Sequence, residues 1–473
     1  MNYVFYDFET SGTNRYFDQP IQIAAALVNE KFEIVETLNE TCKLKDGIVP
    51  HPQALLINKI KIDTLKNGQS FFEMVDKVHK KFSDWSPAIF IGYNSLFFDE
   101  VVLRQSLYQS LYDPYLTNTN DNRRTDLYHI MCAITKLRPD IIKLGYNPKT
   151  EKESYKLEYL AIANNVEQEQ AHDAMSDVYA TIGLAQIIKE KASDFWEHCM
   201  NISNPNNFLS YLDMQDIIFK APSHPSHDFY PISYITANPE RSKELSFFDL
   251  NYDIDKYCDS SLTGIISLIE SKEKVIKILE INKAPIILGD NFIKKSELLS
   301  GKLEDDYHDK VNKIKNNEKF VQKLQQALVD RSQDKAVNYP MPDFLETQIY
   351  SGFSGPSDKE KMNDFRNTPD FEKKYRISKD FEDARYREIA YRILFNECPT
   401  VFTEDKLNER KQFFAQRALD SNSDVKWCTI DKARKAIENL QDSDVYKTDA
   451  SSIKEIESFI NEEEEKYKKY LAC

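Results

Sequence analysis

"YVFYDFETSG", residues 3–12, sets two carboxylates, Asp7 and Glu9, inside a run of tyrosine, valine and phenylalanine. Aromatic and β-branched residues are the preferred composition of a strand. Along a strand, residues i and i+2 point to one face, so Asp7 and Glu9 project side by side. Like charges that close repel unless a positive group stands between them. Two readings are open on this stretch alone. It is an edge strand with its charges in water, or it offers hard oxygen ligands to a divalent metal.

The chain has 473 residues, which at roughly 150 per domain predicts about three domains. Charged residues make up 29% and hydrophobic ones 41%, an ordinary balance for a protein with buried cores. No apolar run approaches the ~20 residues that span a bilayer. The first strand begins almost at once, which argues against a signal peptide. Seven scattered cysteines, none in a CxxC pair, predict reduced thiols in a cytoplasm and no zinc knuckle or disulfide framework. The net charge of −15 disfavours a nucleic-acid partner on composition alone, although a basic groove can sit on an acidic protein.

Residues 1–190 alternate strand-like and helix-like patterns. "PIQIAAALVNEKFEIVETLNETCKL" reads as two strands around an Asn-Glu-Lys turn, and "AIFIGYN" (88–94) as a short buried strand. Helices are expected over about 70–83, 98–112 and 124–137, with a last one carrying Val178, Ile182, Ala185 and Ile188. From about 203 to 300 short apolar pieces between turns predict small strands, with helices near 261–280 and 306–329. Beyond about 341 the pattern is helical. The divisions expected are 1–195, 196–340 and 341–473.

Further carboxylates follow. Asp99 in "GYNSLFFDE" (92–100) comes after a strand and opens a helix, where ligands collect in α/β folds; alone, it reads equally as an acid complementing the helix dipole. In "AHDAMSDVYATI" (171–182), His172 precedes a helix and Asp177 lies in its first turns. Alone, this is a surface histidine with a nearby acid. Jointly, Asp-x-Glu on the first strand, Asp at a helix start and His-x4-Asp on a late helix form the DEDDh exonuclease constellation. Phosphodiester hydrolysis needs an activated water and charge stabilisation at both the attacking and departing oxygens, which two metals ~3.5–4 Å apart supply. Four carboxylates suit two Mg²⁺ ions, with Mn²⁺ able to substitute. Neutral histidine accepts a proton near neutral pH, which makes His172 the expected general base.

"YDFETSGT", "DQPIQIAA", "GYNSLFFDE", "LYDPY", "RRTDL", "LRPD", "YKLEYLAIANN" and "AHDAMSDVYATIGLA" together resemble the bacterial exodeoxyribonuclease I family, as do "INKAPIIL" (281–288) and "QIYSGF" (348–353) more thinly. The resemblance implies an α/β RNase H-like exonuclease domain, an SH3-like middle domain and an α-helical C-terminal domain. It implies 3′-to-5′ hydrolysis of single-stranded DNA to 5′-mononucleotides, in recombination and repair. It also implies binding of the acidic C-terminal tail of single-stranded DNA-binding protein; apart from the resemblance, no membrane partner and a monomeric state are expected. Asp7, Glu9, Asp99 and Asp177 match the family's metal-binding acids and His172 its catalytic histidine. Glu9, Arg104, Tyr115 and Lys156 fall where the family contacts DNA; at Lys156 it can carry arginine, and lysine offers a point charge instead of a fork. Lys294 and Lys295 are the expected tail contacts by family position. An RNA-trimming or proofreading exonuclease would carry the same five residues, but such relatives are compact. A non-catalytic binding protein would have little reason to keep all five.

Overall fold

A computed structural model describes residues 1–168, 172–296, 306–338, 342–441 and 445–472. Strand β1 (Asn2–Thr10) does not lie at an edge. It sits at the centre of a five-stranded sheet ordered β3-β2-β1-β4-β5, with β2 Pro20–Val28, β3 Ile34–Thr41, β4 Ala88–Gly92 and β5 Arg123–Asp126. β1 pairs antiparallel with β2 and parallel with β4, so both of its edges are hydrogen-bonded. The edge-strand reading of Asp7 and Glu9 is thereby removed.

Alternation along β1 builds two cores. Tyr3 and Phe5 face a layer holding Ile130, Ile134, Val178, Ile182 and Trp196. Val4, Tyr6 and Phe8 face the opposite layer, with Met74, Val78, Phe82 and Leu103. Each such fully buried side chain contributes roughly 1.5–3 kcal/mol. Asp7 and Glu9 fall on the Tyr3 face at the C-terminal end of the strand, where the apolar layer runs out.

The helices expected in this region are Phe71–Asp84, Asp99–Tyr108, Leu127–Leu137 and Ala174–Lys191. The first carries a capping box: the Ser70 side chain accepts from the Glu73 backbone N–H, and the Glu73 side chain accepts from that of Ser70. The helix expected from 124 begins instead at Leu127, because residues 123–126 pair in parallel with β4 and Asp126 caps the helix.

The middle region carries five antiparallel strands: Ile218–Lys220, Tyr230–Asn238, Arg241–Asp249, Ile276–Glu280 and Ile287–Gly289. The helix expected over 261–280 stops at Glu270, and Ile276–Glu280 joins the sheet edge. The expected division at 195/196 falls inside the helix Ser193–Ile202, whose Trp196 packs on Tyr3. That at 340/341 lies outside the described residues. No described helix is long and apolar enough to cross a membrane.

The C-terminal region is helical, and its core takes in Ile21, Val49, Leu55 and Tyr108 from the first region. At this seam Gln105 Nε2 donates to the Glu346 carbonyl at 2.9 Å and Tyr108 Oη to the Leu345 carbonyl at 3.3 Å. The buried Glu346 carboxylate lies 2.9 Å from Arg392 Nη1 and 2.9 Å from Arg417 Nη1. Burial alone would raise its carboxyl; the two guanidiniums outweigh burial and hold it at about 2. Its native value is below its unfolded one, so the stabilisation is present above about pH 4.5 and is lost as pH falls toward 2. Glu346→Gln should therefore cost about 3 kcal/mol at pH 7, and the gap from wild type should narrow to about half as urea titrations are repeated down to pH 3. A gap that does not change with pH contradicts this assignment.

Candidate active site

Four acidic side chains meet beyond the C-terminal end of β1. Asp7 and Glu9 come from the strand itself. Asp99 opens the helix Asp99–Tyr108, is 4% exposed, and accepts the Phe8 backbone N–H at 3.2 Å, which ties that helix start to β1. Asp177 sits one turn into the helix Ala174–Lys191, which packs on the same sheet face. Donor atoms of Glu9, His172 and Asp177 all lie within 4.8 Å of one another.

The electrostatics single this group out. Burial, then the charges of Asp99, Glu9 and Asp177, push the Asp7 carboxyl well above the usual carboxylate range. Burial, then Asp177 and Asp99, raise Glu9 to about 9. Burial raises Asp99 to about 8 against the opposing backbone hydrogen bonds. Asp177 is raised by burial too, less so because Gln168 Nε2 donates to it at 2.6 Å and His172 is near. Glu100, adjacent to Asp99 and equally buried, behaves in the opposite way. Burial would raise it, but Arg124 Nη1 at 2.6 Å and Arg104 Nε at 2.8 Å bring it below its ordinary value. The fold supplies two arginines to Glu100 and, among the described residues, no lysine or arginine pairs with the other four. Clustered carboxylates without counter-charge are stabilised by a bound cation. An all-oxygen set with one imidazole beside it suits a hard divalent ion.

His172 occupies the turn before its helix at φ +63°, with an exposed ring. Its Nε2 is 3.9 Å from Glu158 Oε2. Asp173 beside it caps the helix by accepting the Ser176 N–H at 3.1 Å and also accepts Gln22 Nε2 at 3.1 Å, so the turn is anchored to β2. Sequence reasoning missed Glu158, Gln168 and Asp126. The buried Asp126 carboxylate accepts the N–H groups of Asn94, Leu96 and Tyr128 at 2.8, 3.0 and 3.0 Å and so shapes the loop leading to Asp99. Only its place in "RRTD" beside a helix start could have signalled this.

His172 and Asp177 line an open cleft of about 1220 Å³, with Tyr93, Phe97, Lys156 and, from the middle region, His224. Lys156 is 66% exposed on its rim, 3.8 Å from Glu158. Arg104 and Tyr115 lie together, the guanidinium 5.1 Å from the ring centroid, but outside this cleft. Tyr115 lines a separate recess with Tyr350 and Phe353. Lys294 is exposed and pairs with Asp290 at 3.3 Å on a short helix of the middle region; Lys295 follows it, and neither reaches the cleft.

Comparison with known proteins agrees with this geometry. Residues 4–185 match the exonuclease family model (RNase_T), and residues 343–463 match that of the exonuclease I C-terminal domain. Exodeoxyribonuclease I of Buchnera aphidicola subsp. Schizaphis graminum is 28% identical over 427 residues, 86% of each chain. That of Escherichia coli K12 is 26% identical over 450 residues, 89% of this chain and 92% of its own. Exonuclease I from Methylocaldum szegediense superposes with a TM-score of 0.82 at 22% identity, covering 98% of this chain and 99% of that one. E. coli exonuclease I in complex with a dA16 oligonucleotide gives the same score, identity and coverage. With both end regions matched in order and the likeness running the whole length, the chain is a nuclease with an exonuclease domain and an exonuclease I C-terminal domain, similar along its length to exodeoxyribonuclease I.

Proposed function

We propose that this nuclease hydrolyses single-stranded DNA from the 3′ end, releasing 5′-mononucleotides. The observation that carries the reading is the convergence of Asp7, Glu9, Asp99 and Asp177 with His172 at one end of an open cleft, where among the described residues no lysine or arginine pairs with them. The choice of DNA rests on the relatives, named exodeoxyribonuclease I. The polarity and strand preference rest on the family resemblance of the motifs, as does a role in repair and recombination.

Asp7, Glu9, Asp99 and Asp177 would hold two divalent cations, Mg²⁺ or Mn²⁺, which supply Lewis-acid charge to the attacking and departing oxygens. His172 faces the cleft and takes the proton of the attacking water, while Glu158 beside its Nε2 orients the ring and stabilises the imidazolium. Gln168 holds the Asp177 carboxylate in place. Lys156 on the rim gives a point charge to a backbone phosphate. The Arg104–Tyr115 pair and the aromatic recess beside it offer a stacking surface further along the strand. The five-stranded middle sheet is read as the SH3-like unit of the family. Lys294 and Lys295 would meet the acidic tail of single-stranded DNA-binding protein, which fits the solved structure of an ExoI/SSB-Ct complex with this fold.

A 5′-labelled oligodeoxynucleotide with Mg²⁺ should shorten from its 3′ end, while its duplex and RNA counterparts persist; preferential loss of RNA would move the protein to the RNA-trimming relatives. Asp7→Asn should lower kcat about 10³-fold, the several kcal/mol of charge stabilisation that a misplaced metal forfeits. His172→Asn should cost 10²–10⁴-fold in kcat, as is typical on loss of a general base. In EDTA, Asp7→Asn should melt higher than wild type, since it removes a buried acid that must either take up a proton or hold a charge beside three other acids. Mn²⁺ should then raise the melting temperature of wild type more than that of the variant.

A further inference from the structure

Phe97 stands two residues before Asp99 and is 63% exposed. Of the large exposed aromatic side chains among the described residues, it is the one that lines the cleft of His172 and Asp177. An isolated exposed phenylalanine is unremarkable on a protein surface. Phe97 differs because its loop is held at every step. Asp126 accepts from Asn94 and Leu96, Asn94 is in the left-handed region at φ +60°, and the Ser95 carbonyl accepts the Glu100 N–H at 2.9 Å. Arg15, from the loop after β1, donates from Nη1 to the Phe97 carbonyl and lays its guanidinium 4.1 Å from the ring centroid. Arg15 is not part of the cleft lining, so the guanidinium lies against the ring from outside the cleft that Phe97 lines.

We infer that Phe97, backed by Arg15, is a stacking platform for the unpaired base beside the scissile phosphate. The inference rests on the single-stranded DNA reading above. A base has an apolar face whatever its identity, and a preordered aromatic ring receives it without sequence preference. A terminal base held in a duplex would have to leave its partner to reach the ring, so the same contact favours unpaired ends. The guanidinium against the ring also places positive charge near the strand's phosphates.

The test compares wild type, Phe97→Ala and Phe97→Trp, as full chains with Mg²⁺, on two single-stranded oligodeoxynucleotides. One is intact, and the other carries abasic residues at its last two 3′ positions. On the intact strand Phe97→Ala should raise KM about 10-fold with kcat little changed, because stacking is lost equally from ground and transition states. Phe97→Trp should restore KM. On the abasic strand the first hydrolysis should show Phe97→Ala and wild type within about 2-fold of each other, since no base remains to stack. An equal KM penalty on both strands, or a defect confined to kcat, overturns the inference while leaving the exonuclease reading intact. A wild type that cuts neither strand overturns the DNA reading, and this inference with it.

Discussion

Repulsion among Asp7, Glu9, Asp99 and Asp177 is the interaction around which the rest of this structure is arranged. All four come from three chain segments that pack tightly for other reasons: β1 at the centre of its sheet, the helix that follows β4, and the helix laid across the same sheet face. Packing thus forces together charges that would separate if free. Glu100 supplies the internal comparison. One residue from Asp99, it receives two arginines and a threonine hydroxyl and is held ionised. The same fold can neutralise a buried acid, and at the cluster it does not. Stability forgone there is the usual signature of a site shaped for function.

The surroundings hold that arrangement in place. Asp126 fastens the loop before Asp99 through the backbone amides of Asn94 and Leu96, and Asp173 fastens the turn that carries His172 to β2. The C-terminal helices reach the nuclease region through the Gln105 and Tyr108 contacts to residues 345–346, beside the Glu346–Arg392–Arg417 ion cluster. That seam leaves an aromatic recess open beside Tyr115. The cleft itself takes one wall from the middle region, through residues 223–226. All three regions border the surfaces where a strand would lie.

Much of this was legible in the sequence, for local reasons. The strand composition of residues 3–10, the short apolar run at 88–94 and the helical period after Asp177 each act within a few residues, and the elements formed where expected. What escaped depended on pairing at a distance. "RRTD" has no apolar alternation and becomes β5 only because β4 lies beside it. The stretch 276–280 continues the apolar character of the helix before it, and becomes a strand because Arg241–Asp249 offers a free edge. In the site, the five residues at motif spacing were visible, whereas Glu158, Gln168 and Asp126 carry no local mark and are identified only by what they touch. Arg104 and Tyr115 were read as neighbours of the strand; the fold puts them next to each other and outside the main cleft.

The most direct test of the central claim is anomalous diffraction from crystals grown with Mn²⁺, for wild type and Asp7→Asn. The account expects two anomalous peaks ~3.5–4 Å apart within coordination distance of Asp7, Glu9, Asp99 and Asp177, and the loss of at least one in the variant. Manganese bound elsewhere, or a carboxylate cluster that stays closed with no metal at millimolar concentration, would contradict the claim that divalent cations are what this arrangement of charges was built to hold.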